Sequence, residues 1–412
     1  MRTRYGTPPW GPSTPLGTGQ NVPASRVPDF PRFRGDHTAD VVIIGGGLTG
    51  SVVAYMCASA GLKTILLEAD RIGRGQTMRG AGVMSPEPGP LFRTVAGQHG
   101  LRAARLIFDT WRKGALDGTA LLKRLRVKCD VEPRDMLLAV ATHNERDLRR
   151  EHDARRDAGL DAAWLVRKQM ASRMKLDAAG GLRTRGVFAL DPYRACIGII
   201  AAARARRAVC HEKSAVRKVR FTRKFAEVFA DGGKIRTAKV IVATGSLTEV
   251  YKPLRRHLDD RASYMVLTEP MPAPMRKALG DPRILLRDPG GLSPQIGIRD
   301  DRLLISGGDR AATPAKLREA VLVQRTGALM YEVLTRYPAI SGLRPELGWD
   351  APYGQAADGL MYIGAHRNYP HHVFAVGGHP ASVTGAFVAG RVLLRAVQDA
   401  PEKSDEVLGW TR

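Results

Sequence analysis

Three glycines near the start of the sequence have the type and spacing of a phosphate-binding turn. Gly45, Gly47 and Gly50 form the pattern G-x-G-x-x-G and follow four β-branched residues. The first glycine permits a tight turn, the second lets the backbone approach a pyrophosphate, and the third lets a helix pack closely on its strand. Leu48 and Thr49 would begin that helix, with its N-terminal amides directed at the phosphates. The pattern predicts a dinucleotide-binding site, and a glycine-rich structural turn is the alternative.

The segment after the predicted helix provides a second indication of the same site. The sequence "KTILLEA" reads as a buried strand that ends in Glu68 and Ala69. A carboxylate at this place accepts hydrogen bonds from ribose hydroxyls and repels a phosphate-extended ribose. The uncharged run 41–62 is also long enough to cross a bilayer, but β-branched residues followed by consecutive glycines favour a strand and a turn. We therefore expect no transmembrane segment.

A long glycine-rich loop follows this strand, with the sequence "DRIGRGQTMRGAGVMSPEPG". A typical NAD-binding half-domain would return quickly to helix and strand, whereas this loop is suited to lie along a pyrophosphate and a bulky ring system. The loop therefore favours a flavin dinucleotide over NAD. Its polar and glycine candidates for cofactor contacts are Arg74, Gln76, Thr77 and Gly80.

These segments resemble the FAD-dependent oxidoreductases of the D-amino acid oxidase superfamily, and within it the branch of γ-glutamylputrescine oxidoreductase, glycine oxidase and sarcosine oxidase. The resemblance extends to "FALDPYRACIGIIAAARARRA", "KVIVATGS", "RLLISGGD" and the C-terminal "DGLMYIGAHRNYPHHVFAVGG" with "VTGAFVAGRVLL". It implies a noncovalent FAD, because none of the four cysteines lies where the family attaches a flavin covalently. The residues that it assigns to the cofactor are Gly45, Gly47, Leu48, Thr49, Gly50, Glu68, Ala69, Arg74, Gln76, Thr77, Gly80, Val216, Thr244, Gly245, Gly364, Val383 and Thr384.

The fold that the resemblance implies is α/β, and α+β overall. A Rossmann-like FAD-binding domain would be interleaved with a substrate domain built on a mostly antiparallel sheet. The predicted boundaries give an extended surface arm over 1–37, the FAD-binding domain over 38–95, 182–260 and 346–412, and the substrate domain over 96–181 and 261–345. Apolar spacing and segment boundaries predict helices over 48–60, 98–127, 145–157, 192–209 and 383–398.

The implied activity is oxidation of the CH–NH bond of an amine or an N-substituted amino acid. Flavin N5 would accept the hydride equivalent, and the resulting imine would hydrolyse. Amino acid oxidases of the superfamily hold the substrate carboxylate with an arginine after a Trp-containing strand, but this chain has Tyr353 near that position. His379 lies in "GGHPASVTGAF", where the family is glycine-rich. Tyr353 and His379 are the candidate catalytic residues, although ordinary packing would also explain either one.

The electron acceptor is left open by the sequence. Members similar to sarcosine oxidase activate oxygen with a lysine, and "RLLISGGD" has no lysine at that place. The acceptor is therefore predicted to be either oxygen or a respiratory quinone carrier.

Composition limits the other partners. The formal net charge is +24, but the basic residues are spread along the chain, which favours solvated faces over a nucleic-acid site. The four cysteines show no CxxC pair and no metal-ligand spacing. We expect reduced, buried thiols in a cytoplasmic protein with a small-molecule substrate, no metal and no nucleic-acid partner.

Two alternative functions remain open at this stage. The positive charge would also suit an FAD enzyme that acts on a modified tRNA nucleoside. The altered "HPAS" segment, residues 379–382, would also suit a flavin-binding protein without turnover.

Overall fold

The computed structural model describes residues 3–11, 16, 29–140, 145–288 and 294–412. Parts of the predicted arm and the last residue of the predicted strand "DMLLAVA" lie outside these residues. The helices are α1 (Leu48–Ser59), α2 (Gln76–Arg79), α3 (Phe92–His99), α4 (Leu101–Arg124), α5 (Glu145–Asp157), α6 (Arg167–Met174), α7 (Pro192–Ala205), α8 (Ala273–Ala278), α9 (Arg318–Arg336) and α10 (Thr384–Val397). Short 3-10 segments cover Glu249–His257, Ala315–Leu317, Pro338–Ile340 and Lys403–Leu408.

The strands of the described residues form two sheets. They are β1 (Arg4–Tyr5), β2 (Gly35–Ile44), β3 (Thr64–Leu67), β4 (Val83–Met84), β5 (Glu132–Val140), β6 (Ala163–Val166), β7 (Gly180–Ala189), β8 (Val209–His211), β9 (Val216–Phe221), β10 (Ala226–Ala230), β11 (Gly233–Gly245), β12 (Asp259–Thr268), β13 (Ile284–Arg287), β14 (Gln295–Arg299), β15 (Arg302–Ala311), β16 (Pro345–Gln355), β17 (Tyr362–Ala365) and β18 (His372–Val376).

The first sheet has the order β17-β18-β11-β2-β3-β8, and β9 and β10 extend it beside β11. The strands β18, β11, β2, β3 and β8 are parallel, so their carboxyl ends meet at one edge. The run 41–44 is apolar throughout because both faces of β2 are covered: Val41 and Ile43 face one apolar cluster, and Val42 and Ile44 face another. Ligands of such sheets bind at the carboxyl edge.

The second sheet has the order β1-β16-β12-β15-β14-β13-β5-β7-β4, with β6 beside β7. Most neighbours are antiparallel, but β1 runs parallel to β16 and β13 runs parallel to β5. The sheet is therefore mixed, with antiparallel pairs in the majority. The mixed α/β architecture agrees with the predicted fold class.

The predicted domain boundaries at 182 and 346 fall inside β7 and β16. Both strands pair within the second sheet, β7 with β5 and β16 with β12. Continuous ladders of backbone hydrogen bonds hold these segments there. The division of the chain into domains stays a prediction.

Four of the five predicted helices are confirmed as α1, α5, α7 and α10, although α7 ends before residue 209. The predicted helix 98–127 is wrong at its start. Gly100, with φ +82°, separates α3 from α4, because its left-handed backbone cannot continue a helix. Among the described helices, none combines the length and the hydropathy that a membrane crossing requires.

The described part of the N-terminal arm is exposed over residues 4–7 but anchored in the protein at Trp10 and Leu16, where the expectation of a surface position is wrong. Tyr5 pairs with Gly348 in β16. Trp10 is 3% exposed and its Nε1 donates to the carbonyl oxygen of Gly80 at 2.7 Å. Leu16 is also buried in the same apolar cluster. The arm thus fastens the glycine-rich loop to the second sheet.

We expect Trp10→Ala to lower the free energy of unfolding by about 3–5 kcal/mol, because it opens a cavity in this cluster. Trp10→Phe keeps most of the volume but leaves the Gly80 carbonyl without its donor, and should cost about 1–3 kcal/mol. Chemical denaturation measures both variants against Tyr331→Ala, whose ring is 73% exposed and should change stability by roughly 0.5 kcal/mol or less. A Trp10→Ala variant as stable as the control would contradict the anchoring.

Candidate functional site

The predicted phosphate-binding turn lies at the carboxyl edge of the first sheet. Gly45 has φ +107° and its amide donates to Leu67 O at 2.9 Å. A Cβ at Gly50 would lie 1.9 Å from Gly45 O, so only glycine fits between the turn and α1. The geometry matches the roles that the spacing predicts for the first and third glycines.

The start of α1 has the electrostatics of an anion site. Gly47 precedes the helix in an extended conformation and has no side chain to cap it, and the first turn of the helix has no acidic residue. The amide of Leu48 donates to Thr77 Oγ1 at 2.9 Å, which joins the helix start to the glycine-rich loop. The other amides of the first turn and the helix dipole favour a negatively charged group here.

Glu68 lies beside this turn, at the end of β3. Its Oε2 accepts the amide of Gly46 at 2.6 Å, and its Oε1 accepts the amide of Asp70 at 2.9 Å. An ionised carboxylate has about four acceptor positions, so two remain for ribose hydroxyls. Ala69 is exposed next to it, and the Ser214 amide donates to Glu68 O at 2.8 Å, which brings the start of β9 close.

We expect Glu68→Gln to weaken FAD binding about 10- to 100-fold. The amide keeps the shape of the side chain but loses the charge-assisted hydrogen bonds that order the turn, which are worth about 1.5–3 kcal/mol each. Flavin fluorescence during titration of the stripped protein with FAD measures the effect. Asp70→Asn is the control, because its exposed side chain contributes no hydrogen bond to the turn. Equal affinity for both variants would contradict the assigned contact.

The glycine-rich loop and the start of α10 meet at the same place. Gln76 Nε2 donates to Gly378 O at 2.7 Å, and the Ala81 amide donates to Pro380 O at 3.0 Å. Thr384 Oγ1 donates to Ser85 O at 2.7 Å. A small cavity of about 70 Å³ lies between them. The predicted cofactor residues that line it are Leu48, Thr49, Gln76, Thr77, Gly80 and Val383.

Other predicted cofactor residues lie around or away from this group. Thr244 and Gly245 end β11 at the same edge of the sheet, and the Gly377 amide donates to Gly245 O at 2.9 Å. Arg74 is exposed and Val216 begins β9. Gly364 does not join the group. It lines a separate cavity of about 870 Å³ between β17 and the C-terminal residues, and its role at the cofactor stays a prediction.

The two candidate catalytic residues are brought together by a third residue, Asp309. His379 Nε2 lies 2.6 Å from Asp309 Oδ2, and Tyr353 donates its hydroxyl to the same oxygen at 3.2 Å. The rings of Tyr353 and His379 are 4.8 Å apart and nearly perpendicular. The amide of Ala381 donates to His379 Nδ1 at 3.1 Å, so the neutral ring carries its proton on Nε2 and donates to Asp309.

This cluster opens into a cavity of about 410 Å³ between the two sheets, lined by Asp309, His379 and Ser382 among others. Removal from water opposes ionisation of Asp309, but the hydrogen bonds from His379 and Tyr353 outweigh it, so the pKa of Asp309 lies below its ordinary value. Burial and the neighbouring carboxylate of Asp309 raise the pKa of Tyr353 well above its ordinary range. Asp309 is therefore an anion and Tyr353 a neutral donor at physiological pH.

Sequence reasoning missed Asp309, Arg287 and Glu87, which all line this cavity. Asp309 stood in "RLLISGGD" and Glu87 in the glycine-rich loop without an assigned role. Each comes from a separate segment of the chain, so spacing along the sequence gave no signal for them.

The residues at the sheet edge fit an FAD. They offer a helix start without acidic residues, a glycine turn that excludes side chains and a carboxylate with acceptor positions left for a ribose. His379 and Ser382 line both the small cavity and the larger one, so a ring seated at the start of α10 would border the 410 Å³ cavity. A parallel sheet with this site, joined to a second sheet that bears a cavity, defines a flavin-dependent oxidoreductase fold.

Comparison with known proteins agrees with this class. The model of the FAD dependent oxidoreductase (DAO) family matches residues 40–396, and the chain belongs to that family. It is 24% identical over 395 residues to γ-glutamylputrescine oxidoreductase of Escherichia coli K12, covering 93% of this chain and 89% of the relative. It is 21% identical over 376 residues to glycine oxidase of Bacillus licheniformis, covering 89% and 95%. The structure of glycine oxidase from Geobacillus kaustophilus superposes with a TM-score of 0.76 at 18% identity, covering 91% of this chain and 99% of that one.

The protein is thus an FAD-dependent oxidoreductase. Its four cysteines are free and buried, and burial raises the pKa of each thiol to about 12.

Proposed function

We propose that this chain oxidises the C–N bond of an amine or an amino acid. FAD, when bound, accepts the hydride equivalent from the carbon next to nitrogen. The observation that carries the proposal is the Asp309–His379–Tyr353 cluster, because it opens into the cavity beside the start of α10. The similarity to a γ-glutamylputrescine oxidoreductase and to a glycine oxidase supports a nitrogen-bearing substrate.

The residues of the chain have two tasks in this reaction. Asp309 is ionised and attracts the substrate ammonium into the cavity, close to His379. Because only the neutral amine can give up the hydride, a proton must leave the nitrogen. The carboxylate of Asp309 is the proposed acceptor, since both ring nitrogens of neutral His379 already form hydrogen bonds.

Anaerobic reduction of the bound flavin tests this proposal. Purified holoenzyme is mixed with a panel of primary amines, N-methyl amino acids and D- and L-amino acids, and the flavin absorption band is followed. Bleaching by one class supports the proposal and identifies the substrate type. A bound flavin that no member reduces overturns it and favours a flavin-binding protein without turnover.

Several finer points stay predictions. Admission of air to the reduced enzyme separates an oxygen-linked enzyme from one that needs a quinone carrier. Noncovalent binding predicts that denaturation releases all flavin into solution, and the buried cysteines support it. The cytoplasmic location and the absence of a nucleic-acid partner likewise stay predictions, and the latter requires tRNA binding to remain weak even at low salt.

A further inference from the structure

The 410 Å³ cavity has one charged wall residue whose charge no carboxylate balances at short range. Arg287, the last residue of β13, lines this cavity. Its Nη2 donates to Gly89 O at 3.0 Å, and among the described residues it forms no ion pair. A guanidinium has five N–H donors, so most of them remain for a ligand.

The acidic residues of the same wall already have partners. Glu87 is paired with Arg155 at 2.6 Å, and Asp358 with Arg412 at 2.7 Å. The contact of Asp309 with His379, described above, turns that carboxylate toward the start of α10. Burial lowers the pKa of Arg287, and the carboxylates of Glu87 and Asp309 oppose this only from beyond ion-pair distance, so an anion in direct contact with the guanidinium would stabilise its charge.

Arg287 and Asp309 lie at different places in the cavity. Arg287 is in register with Gln295 of β14, and Gln295 is in register with Ser306 of β15. Two strand spacings separate the backbone of Arg287 from β15 by about 10 Å, and Asp309 lies three residues further along β15. The cavity therefore has a cationic side and an anionic side that a single extended ligand can reach.

We propose that Arg287 binds a carboxylate of the substrate, so that the substrate is an amine with a carboxylate distant from the carbon that is oxidised. The inference rests on the proposed function and specifies its substrate class. An ammonium attracted by Asp309 and a carboxylate held by Arg287 would satisfy both sides of the cavity. The planar guanidinium suits a bidentate contact with a carboxylate. Arg287 lies on β13, whereas the carboxylate-binding arginine of the superfamily's amino acid oxidases would be expected near Tyr353 on β16.

Binding of a simple carboxylate tests the anchor without turnover. Calorimetric titration of the FAD-loaded enzyme with butyrate, and with neutral butyramide, is compared between the natural protein and Arg287→Met. We expect Arg287→Met to weaken butyrate binding about 30-fold or more and to leave butyramide unchanged. Arg283→Met is the matched control, because Arg283 is an exposed arginine that precedes the same strand and pairs with Asp281. It should change butyrate binding less than about 2-fold.

Turnover gives a second, independent readout. In the natural protein, kcat/KM should be at least about 30-fold higher for 4-aminobutyrate than for butylamine, and Arg287→Met should remove that preference mainly through KM. Arg287→Lys keeps the positive charge and should therefore keep part of the preference for 4-aminobutyrate. This variant replaces Arg287→Met in both experiments if Arg287→Met does not fold. The inference is overturned if Arg287→Met and Arg287→Lys both bind butyrate as tightly as the natural protein does. It is also overturned if 4-aminobutyrate and butylamine reduce the flavin equally well. Neither result would contradict amine oxidation itself. Dependence of butyrate binding on Arg287 without reduction by any amine would support the anchor and overturn the proposed function alone.

Discussion

Asp309→Asn is expected to lower kcat/KM for amine oxidation by about 10²- to 10⁴-fold, the range for loss of a positioned proton acceptor. The amide keeps hydrogen bonds to His379 and Tyr353 but removes the negative charge that attracts the substrate ammonium and accepts its proton. Rapid-mixing measurement of flavin reduction determines the loss. FAD binding should stay unchanged, because Asp309 makes no contact with the glycine turn.

The pH profile separates this role from a structural one. The pKa of Asp309 lies below the ordinary range of an aspartate, so the residue is ionised at the near-neutral pH of an assay. Replacing Asp309 should lower the rate of flavin reduction by the same factor at every pH near neutrality, so the shape of the pH–rate profile should not change. Asp300→Asn, at an exposed turn before β15, is the matched control and should retain full activity. An Asp309→Asn variant that reduces flavin as fast as this control would exclude Asp309 as the acceptor.

Arg155→Met is expected to lower the free energy of unfolding by about 3–5 kcal/mol, because it leaves two buried carboxylates without their cation. Arg155 is 2% exposed and lies 2.6 Å from both Glu87 and Glu151. Thr184 completes the cluster with a hydrogen bond to Glu87 at 2.5 Å. Denaturant unfolding measures the loss, and Arg156→Met, at an exposed neighbouring position, should change stability by roughly 0.5 kcal/mol or less.

Neutralising the stranded acids should recover part of that stability. The triple variant Arg155→Met, Glu87→Gln, Glu151→Gln has no unpaired buried charge and should be more stable than Arg155→Met alone. If the triple variant is less stable than Arg155→Met, the stability lost in Arg155→Met results from altered packing and not from unpaired buried charge.

The same cluster predicts a dependence of stability on pH. Burial opposes ionisation of Glu87, but the charge and hydrogen bonds of Arg155 outweigh it, so the pKa of Glu87 is lowered in the folded protein. A lowered pKa contributes stability above the unfolded value, near 4.5, and that contribution is lost as the pH falls through the folded pKa. The natural protein should therefore lose more stability below pH 4.5 than a Glu87→Gln variant does.

The sequence by itself determined the dinucleotide turn and its neighbours. Gly45, Gly50 and Glu68 act over short stretches of chain, where strand, turn and helix follow directly from residue type and spacing. The helices α1, α5, α7 and α10 were predictable for the same reason, because their apolar or charged periodicity is local. The start of α4 was missed, because Gly100 was not recognised as a helix break.

Only the tertiary structure decided how distant segments meet. Arg155 lies in a charge-rich helix that resembles a solvated surface helix, yet the side chain is buried because Glu87, 68 residues away in the chain, supplies its partner. Trp10, in an arm expected on the surface, reaches Gly80 only because β1 pairs with β16. Tyr353 and His379 both form hydrogen bonds to the same carboxylate oxygen of Asp309, although three separate segments of the chain carry these residues. Residue types fix what each group can donate, accept or neutralise, but sheet pairing across hundreds of residues decides which groups face one another.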